Sequence, residues 1–451
     1  MNNMSKTNGV TFKKTFWEKI KNKSEKNIHI IIIGTKPDII KQAPLVLELQ
    51  KRKKLILLGH TGQHYDAKLN EDARKVFGIT PDFNINAQGS LHQKIGQIIS
   101  RFGNILFNLK KTNKNIIPYV HGDTTTAAAS AIAAFMNQIA PVHVEAGLRS
   151  YNPQKKIFTS ALKKFNFDNY YKNLIDKKNW TKGSIEPYPE QFDTRVVGAT
   201  AGLHNAPTQI NKENLIQEGY SENKIFVVGN SVSDSLKIAT SKGSNIFKKY
   251  PQLKNGFIRF AIHRRENVGS YHRFTTIFEV MEELVKNKKI VLWLSHNVNK
   301  QAIKDFRLEE RLKMLIKKYP NFLYSDTLWD YDDNIAALSV ANLNVTDSGS
   351  EQEETNLLKV PSVTVRFGSD RPETIWAGGN IIAPPISKNF LLRVIEGAES
   401  NSMLKKSPKL YGSNVSEKII NKVENILERD GTLFQWEHEK YGFHKLKFWR
   451  N

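Results

Sequence analysis

Two domains built on parallel α/β sheets are what this sequence predicts, and three observations predict it. Its 451 residues are too many for one ordinary core. β-branched runs alternate with amphipathic helical stretches, the pattern of parallel strands joined by right-handed crossovers. Polar clusters fall at the carboxyl end of one run after another, where sheets of this kind place their ligands.

The elements follow in order. Ile28 to Ile33 is a continuous apolar run with the look of a buried parallel strand. Gly34-Thr35-Lys36-Pro37-Asp38 is a turn, and Ile39, Ala43, Leu45, Val46 and Leu49 mark a helix. Strands follow at 55–58, 116–120 and 142–144. They run into Gly59-His60-Thr61-Gly62-Gln63-His64, His121-Gly122-Asp123 and Glu145-Ala146-Gly147-Leu148-Arg149. Residues 151–188 are rich in lysine and aromatics without clear periodicity and read as an insertion or lid. The rhythm resumes with a strand at 225–228, a hinge at Gly229-Asn230, and strands at 257–262, 290–295, 321–325, 343–346 and 361–366. The expected organisation is a basic extension at 1–27 and a first Rossmann-like domain at 28–228 carrying the 151–188 insertion. A second, nucleotide-binding domain at 229–425 and a tail at 426–451 that packs back on the first complete it.

Composition sets limits. No apolar run approaches the length of a membrane span, and the start of the chain has no apolar segment ahead of a small-residue cleavage site. There is no cysteine, which excludes disulfides, a thiolate nucleophile and cysteine-ligated metal. A cytoplasmic enzyme is expected. The formal charge of +23 raises the question of a nucleic-acid partner. No zinc finger, aromatic RNP motif or basic zipper accompanies it, and the lysines are spread and interrupted by acids, so no nucleic acid is expected. Phe12, Phe16 and Ile20 recur every fourth residue beside Trp17. This suggests either a short helix docked on the body or a peripheral membrane contact through residues 12–20.

Several clusters could carry chemistry. Asp347-Ser348-Gly349-Ser350 opens a helix whose N–H groups suit a phosphate, and Glu354 lies about one turn on, placed for a ribose diol. The same residues equally describe a plain helix cap. His263-Arg264-Arg265 at a strand end can neutralise a pyrophosphate, and Arg366 and His296 end neighbouring strands. Asp123 and Glu145 end adjacent strands of the first half and could divide acid and base roles, unless Asp123 merely caps the helix after it. Neither His64 nor His121 has metal-ligand spacing, so no metal is expected. Gly34 is not followed by further glycines, so no nicotinamide cofactor is expected, and none other is implied.

Taken together and in this order, these motifs resemble the non-hydrolysing UDP-N-acetylglucosamine 2-epimerases, which have a glycosyltransferase-B-type fold with two Rossmann-like domains facing a cleft. The matching stretches include Gly34 to Asp38 with Lys41, Gln63-His64, His121 to Thr126, His143 to Arg149, Gly229-Asn230, His263 to Glu266, Thr346 to Gly349 with Gln352 to Glu354, and Arg371-Pro372-Glu373. The resemblance implies interconversion of UDP-GlcNAc and UDP-ManNAc for surface polysaccharide synthesis, by a homodimer that needs no cofactor. UDP would be eliminated across C1–C2 to leave a 2-acetamidoglucal, then added back after C2 is reprotonated. It makes Asp123, Glu145, Glu190, Arg195 and His263 the catalytic candidates. Lys36, Lys41, His64, Arg264, His296, Ser348, Gly349, Glu354 and Arg366 become candidates for holding the nucleotide sugar.

The chain departs from the family at Lys36, where arginine is usual, and at Asp38 and Asp370, where glutamate is usual. The family also carries a Pro-Glu-Glu stretch with an arginine four residues after its first glutamate. Here Pro189-Glu190-Gln191 is followed by Arg195, five residues from Glu190, and helical neighbours at i and i+5 do not share a face. Two other readings use the same residues: a glycosyltransferase with a UDP-sugar donor, its lid binding the acceptor, and a non-catalytic UDP-sugar-binding protein.

Overall fold

The computed structural model describes residues 4–21, 24–62, 75–327, 329–443 and 446. The chain divides into two compact units. The first comprises Met1–Gly147, Phe192–Ser231 and Ser413–Asn451, and the second Leu148–Gln191 and Val232–Gly412.

The first unit is built on a nine-stranded sheet. Its strands run in the spatial order Met4–Thr7, Val10–Lys13, Phe83–Asn84, Ile56–His60, Asn27–Ile33, Asn115–His121, Val142–Val144, Leu203–Ala206 and Ile225–Val227. Only the pairings made by Met4–Thr7 and Val10–Lys13 are antiparallel. In the middle, Ile31 lies between Leu58 and Tyr119. That strand is buried on both faces, which is why its sequence, His29 apart, is apolar from Ile28 to Ile33 rather than alternating. The Lys36–Lys51 helix starts with a capping box in which Thr35 and Asp38 satisfy each other's backbone N–H groups.

The described residues of the 1–27 segment are not an appendage. Val10–Lys13 is a strand and the helix covers only Phe16–Lys21. Phe12, Phe16 and Ile20 are buried around Phe83, with ring centroids 6.3 Å (Phe12) and 5.8 Å (Phe16) from it. The apolar groups expected to meet a membrane are therefore spent on the protein's own core, and Trp17 alone of the four stays exposed. Docking on the body is the outcome of the two alternatives.

The second unit has a six-stranded, wholly parallel sheet in the order Phe322–Ser325, Val291–Leu294, Ile258–Ala261, Leu343–Thr346, Ser362–Thr364 and Asn380–Ile382. Residues 151–188, expected as an insertion in the first domain, lie instead within the Leu148–Gln191 segment of this unit. Apolar burial is the reason: Ile157, Phe158, Tyr170, Leu174 and Trp180 join the core under this sheet. Tyr151 and Ser369 exchange backbone hydrogen bonds of 2.9 Å, and Tyr170 Oη donates to the Ile382 carbonyl at 2.7 Å. The chain returns to the first unit at Ser413, earlier than the expected boundary at 426. The Val415–Asp430 helix buries Ile419, Ile420 and Val423 there, and its Glu424 takes Arg52 at 2.6 Å and Lys54 at 2.8 Å.

Candidate active site

In the first unit, three sequence-distant segments converge on one carboxylate. Glu145 follows the Val142–Val144 strand, and its φ of +64° is a left-handed conformation that costs a non-glycine residue of order 1 kcal/mol or more. Its Oε2 receives Lys41 Nζ at 2.5 Å, Asn230 Nδ2 at 2.8 Å and His121 Nε2 at 3.1 Å. Lys41, His121 and Glu145 are all fully enclosed. The other ring nitrogen of His121 lies 3.0 Å from Asp38 Oδ1. Asp38 Oδ2 meanwhile accepts the N–H groups of Gly34 and Thr35 at 3.1 and 2.9 Å, so the capping residue of the helix is also the anchor of the histidine. Burial alone would lower the His121 pKa. The Glu145 charge and the bonds to both carboxylates overcome it, against the opposing Lys41, and push it up to about 9. His121 is thus an imidazolium at neutral pH, donating from both nitrogens.

Gly147 shows why this turn cannot be built from other residues. Its φ is +85°, and a Cβ there would come 2.2 Å from the Asn211 carbonyl oxygen. Asp123 is almost fully buried, and the cap of the Thr125–Met136 helix is Thr124, whose side chain accepts from Ala127 N. Asp123 is therefore not spent as a helix cap, the alternative open from the sequence.

The Glu190–Thr200 helix carries the altered stretch. Arg195 is exposed, whereas Thr194, one turn after Glu190, is buried. Gln191 is buried with its Oε1 accepting the Ser150 N–H at 3.0 Å, and Asp193 accepts from Thr125 Oγ1 at 2.9 Å. Thr194, not an arginine, lies one turn after Glu190, so Arg195 does not share its face.

In the second unit, Asp347 organises the strand ends. Fully buried, it accepts the N–H groups of His263 and Arg264 at 2.9 and 3.0 Å and Asn267 Nδ2 at 2.9 Å. His263 stacks on His296 with centroids 4.7 Å apart, and its side chain is 28% exposed. Burial, then the Arg264 charge, push its pKa down to about 4, so it is neutral at physiological pH. Arg264 Nη1 pairs with Glu190 Oε1. His296 caps the Asn297–Asp305 helix in a box with Asn299. Ser348 caps the Gly349–Leu358 helix, and its own N–H is bonded to Thr346 Oγ1 at 3.0 Å. At Gly349 the helix start comes close to Arg371: a Cβ there would lie 3.1 Å from its guanidinium. Arg371 is held by Glu353 at 2.8 Å and by Asp370, and Asp370 also takes Arg366 Nη1 at 2.8 Å. Arg366 Nη2 is buried without a hydrogen-bond partner among the described residues. A guanidinium N–H left in that state is the donor an incoming anion would satisfy. Glu354 is buried against Tyr331, and Lys36 is the first residue of its helix. His64 lies outside the described residues. Among the described residues no group of three or more histidine and carboxylate side chains could hold a metal ion.

Asp347, His121 and Asn230 were visible at strand ends, but their partners are distant in sequence, so no spacing announced their roles. One buried acid beside the arginine network titrates unusually. Burial raises the Glu373 carboxyl to about 7, although Tyr411 Oη donates to it at 2.9 Å. A carboxyl raised in the folded state holds a proton that the unfolded chain releases, so stability falls as pH rises from the ordinary carboxyl range through about 7. Glu373→Gln should flatten that slope and stabilise the protein on the order of 2–3 kcal/mol above neutrality. Urea unfolding on both sides of the window measures it, and an unchanged slope would exclude Glu373 as its source.

A family model described as UDP-N-acetylglucosamine 2-epimerase matches residues 47–159 and 181–424. The chain belongs to the UDP-N-acetylglucosamine 2-epimerase family. The gap in that match falls inside the 151–188 segment. The UDP-N-acetylglucosamine 2-epimerase of Methanocaldococcus jannaschii is 31% identical over 377 residues, which is 81% of this chain and 90% of the relative. That of Campylobacter jejuni is 30% identical over 413 residues, 87% of this chain and 96% of the relative. The crystal structure of the Methanocaldococcus jannaschii enzyme in complex with UDP-GlcNAc and UDP is similar with a TM-score of 0.73 at 28% identity, covering 88% of this chain and 99% of that one. The two-domain α/β fold of the glycosyltransferase-B type expected from the sequence is the fold of this epimerase-family chain.

Proposed function

We propose that the chain is a non-hydrolysing UDP-N-acetylglucosamine 2-epimerase that interconverts UDP-GlcNAc and UDP-ManNAc. The observation that carries this reading is the Glu145 cluster, a buried carboxylate in a strained backbone conformation contacted by Lys41, His121 and Asn230. Family membership supports it. In the forward direction a carboxylate, Asp123 or Glu145, removes the C2 proton. The C1–O bond breaks, and its electron pair leaves on the β-phosphate oxygen of UDP, so a 2-acetamidoglucal forms. The other acid protonates C2 on the opposite face while UDP adds back at C1. His263, Arg264, Arg366 and the start of the Gly349–Leu358 helix take the diphosphate charge, and Glu354 the ribose. Because His263 is neutral, it serves as a hydrogen-bond donor, and Arg264 and Arg366 supply the fixed charge. The family resemblance makes Glu190 a further carboxylate candidate. A homodimer working in the cytoplasm to supply surface polysaccharide synthesis belongs to the same reading. Incubation with UDP-GlcNAc alone, followed by ion-pair chromatography, should give UDP-ManNAc at a fixed equilibrium ratio. Free UDP with sugar joined to an added glycan acceptor, and no UDP-ManNAc, would replace the epimerase by a transferase.

A further inference from the structure

The 148–191 segment holds a feature that the epimerase reaction does not use. Its two helices, Lys155–Lys163 and Phe167–Ile175, flank a groove with a cavity of about 140 Å³. One wall carries Lys156 and Ser160, one turn apart, with Lys164 at the helix end. The other carries Asn166 at the cap of the second helix, then Asn169 and Asn173 one turn apart. Tyr170 lies in the floor, buried, with its hydroxyl committed to the Ile382 carbonyl. No carboxylate lines the groove. Over residues 151–188 there are eight lysines, no arginine and three acids, Asp168, Asp176 and Glu186, a formal balance of +5.

This chemistry selects a ligand class. Asn166 Oδ1 accepts the Asn169 N–H and Asn173 Nδ2 donates to the Asn169 carbonyl at 2.7 Å, so the amide nitrogens of Asn166 and Asn169 are the donors turned to sugar hydroxyls and carboxylates, and serine adds one donor and one acceptor. Lysines at the two ends, about 12 Å apart along a helix at about 1.5 Å per residue, suit anionic groups separated by a neutral stretch. Nucleic acid would call for aromatic faces to stack bases, and the groove's aromatic ring is buried. A membrane surface would call for a convex apolar face, whereas this is a polar concavity. We propose that the groove of the 148–191 segment is a binding site for an acidic oligosaccharide. Much of it lies in residues outside the family match, so it is a property of this chain.

The test uses the full-length protein and an oligogalacturonate hexamer as probe, with binding followed by calorimetry at low salt. Saturable binding is expected, with none for neutral maltohexaose. Lys156→Ala with Lys164→Ala should weaken it roughly tenfold or more, equivalent to about 1.4 kcal/mol. Asn169→Ala with Asn173→Ala should weaken it several-fold although no charge changes. Both variants should convert UDP-GlcNAc at the wild-type rate, because none of these residues is in the catalytic set. Wild-type affinity in the double-lysine variant, absence of saturable binding, or tighter binding of a single-stranded oligonucleotide of equal charge would each overturn the proposal.

Discussion

Glu145→Gln should lower turnover of UDP-GlcNAc by roughly 10²–10⁴-fold, the range for loss of a general acid or base, while UDP affinity stays within about threefold. Glutamine has the same shape and keeps an acceptor for Asn230 and Lys41, so the left-handed turn at φ +64° is preserved. What it removes is the negative charge beside Lys41 and His121. That charge is what lifts His121 to about 9 against burial, so the histidine should titrate at lower pH in the variant, a shift that NMR of the imidazole reads directly. Loss of UDP binding, or an unmoved His121, would show that Glu145 is structural rather than part of the reacting centre.

The second large effect is on stability. Arg259 is buried beneath the Gly349–Leu358 helix with both nitrogens of its fork on Glu351, at 2.8 and 2.9 Å. It also donates to Asn344 at 2.7 Å and Asn334 at 2.9 Å. Burial would raise the Glu351 pKa, but the arginine charge and these bonds reverse it and hold it at about 2. A depressed carboxyl contributes stability above its unfolded value and loses it as pH falls through about 2. Arg259→Ala leaves Glu351 enclosed without its counter-charge and should cost about 3–5 kcal/mol, the expectation for breaking a buried pair from one side. Because Glu351 sits in the first turn of the helix assigned to the diphosphate, nucleotide affinity should fall with it. Arg259→Lys should recover part of the loss only, since an ammonium lacks the bidentate fork. A loss below about 1 kcal/mol would mean that water or another cation replaces the guanidinium.

Much of this architecture was legible because one physical signal sufficed for each element. The run from Ile28 to Ile33 could be nothing but a doubly covered strand, and the polar residues after each run mark where parallel strands end. Other features needed partners that sequence spacing does not reveal. Phe12, Phe16 and Ile20 imitate one face of a helix, yet they cross a strand, a turn and a helix before meeting Phe83. The 148–191 segment interrupts the strands of the first sheet in sequence, between Val142–Val144 and Leu203–Ala206, but its apolar side chains find their cover in the second core. Strands of two to four residues, such as Phe83–Asn84 and Tyr151–Pro153, are too short to show alternation. The displaced arginine was noticed as a spacing fault. That Thr194 is buried and Arg195 exposed became visible only in the folded helix.

The central claim is that this chain removes and restores the C2 proton of a UDP-linked N-acetylhexosamine. Proton NMR of UDP-GlcNAc incubated with the enzyme in deuterated water tests it most directly. UDP-ManNAc carrying deuterium at C2, with deuterium entering the remaining UDP-GlcNAc as equilibrium is approached, is the predicted result. UDP-GlcNAc that stays intact and fully protonated at C2, in the presence of enzyme that binds UDP, would contradict it.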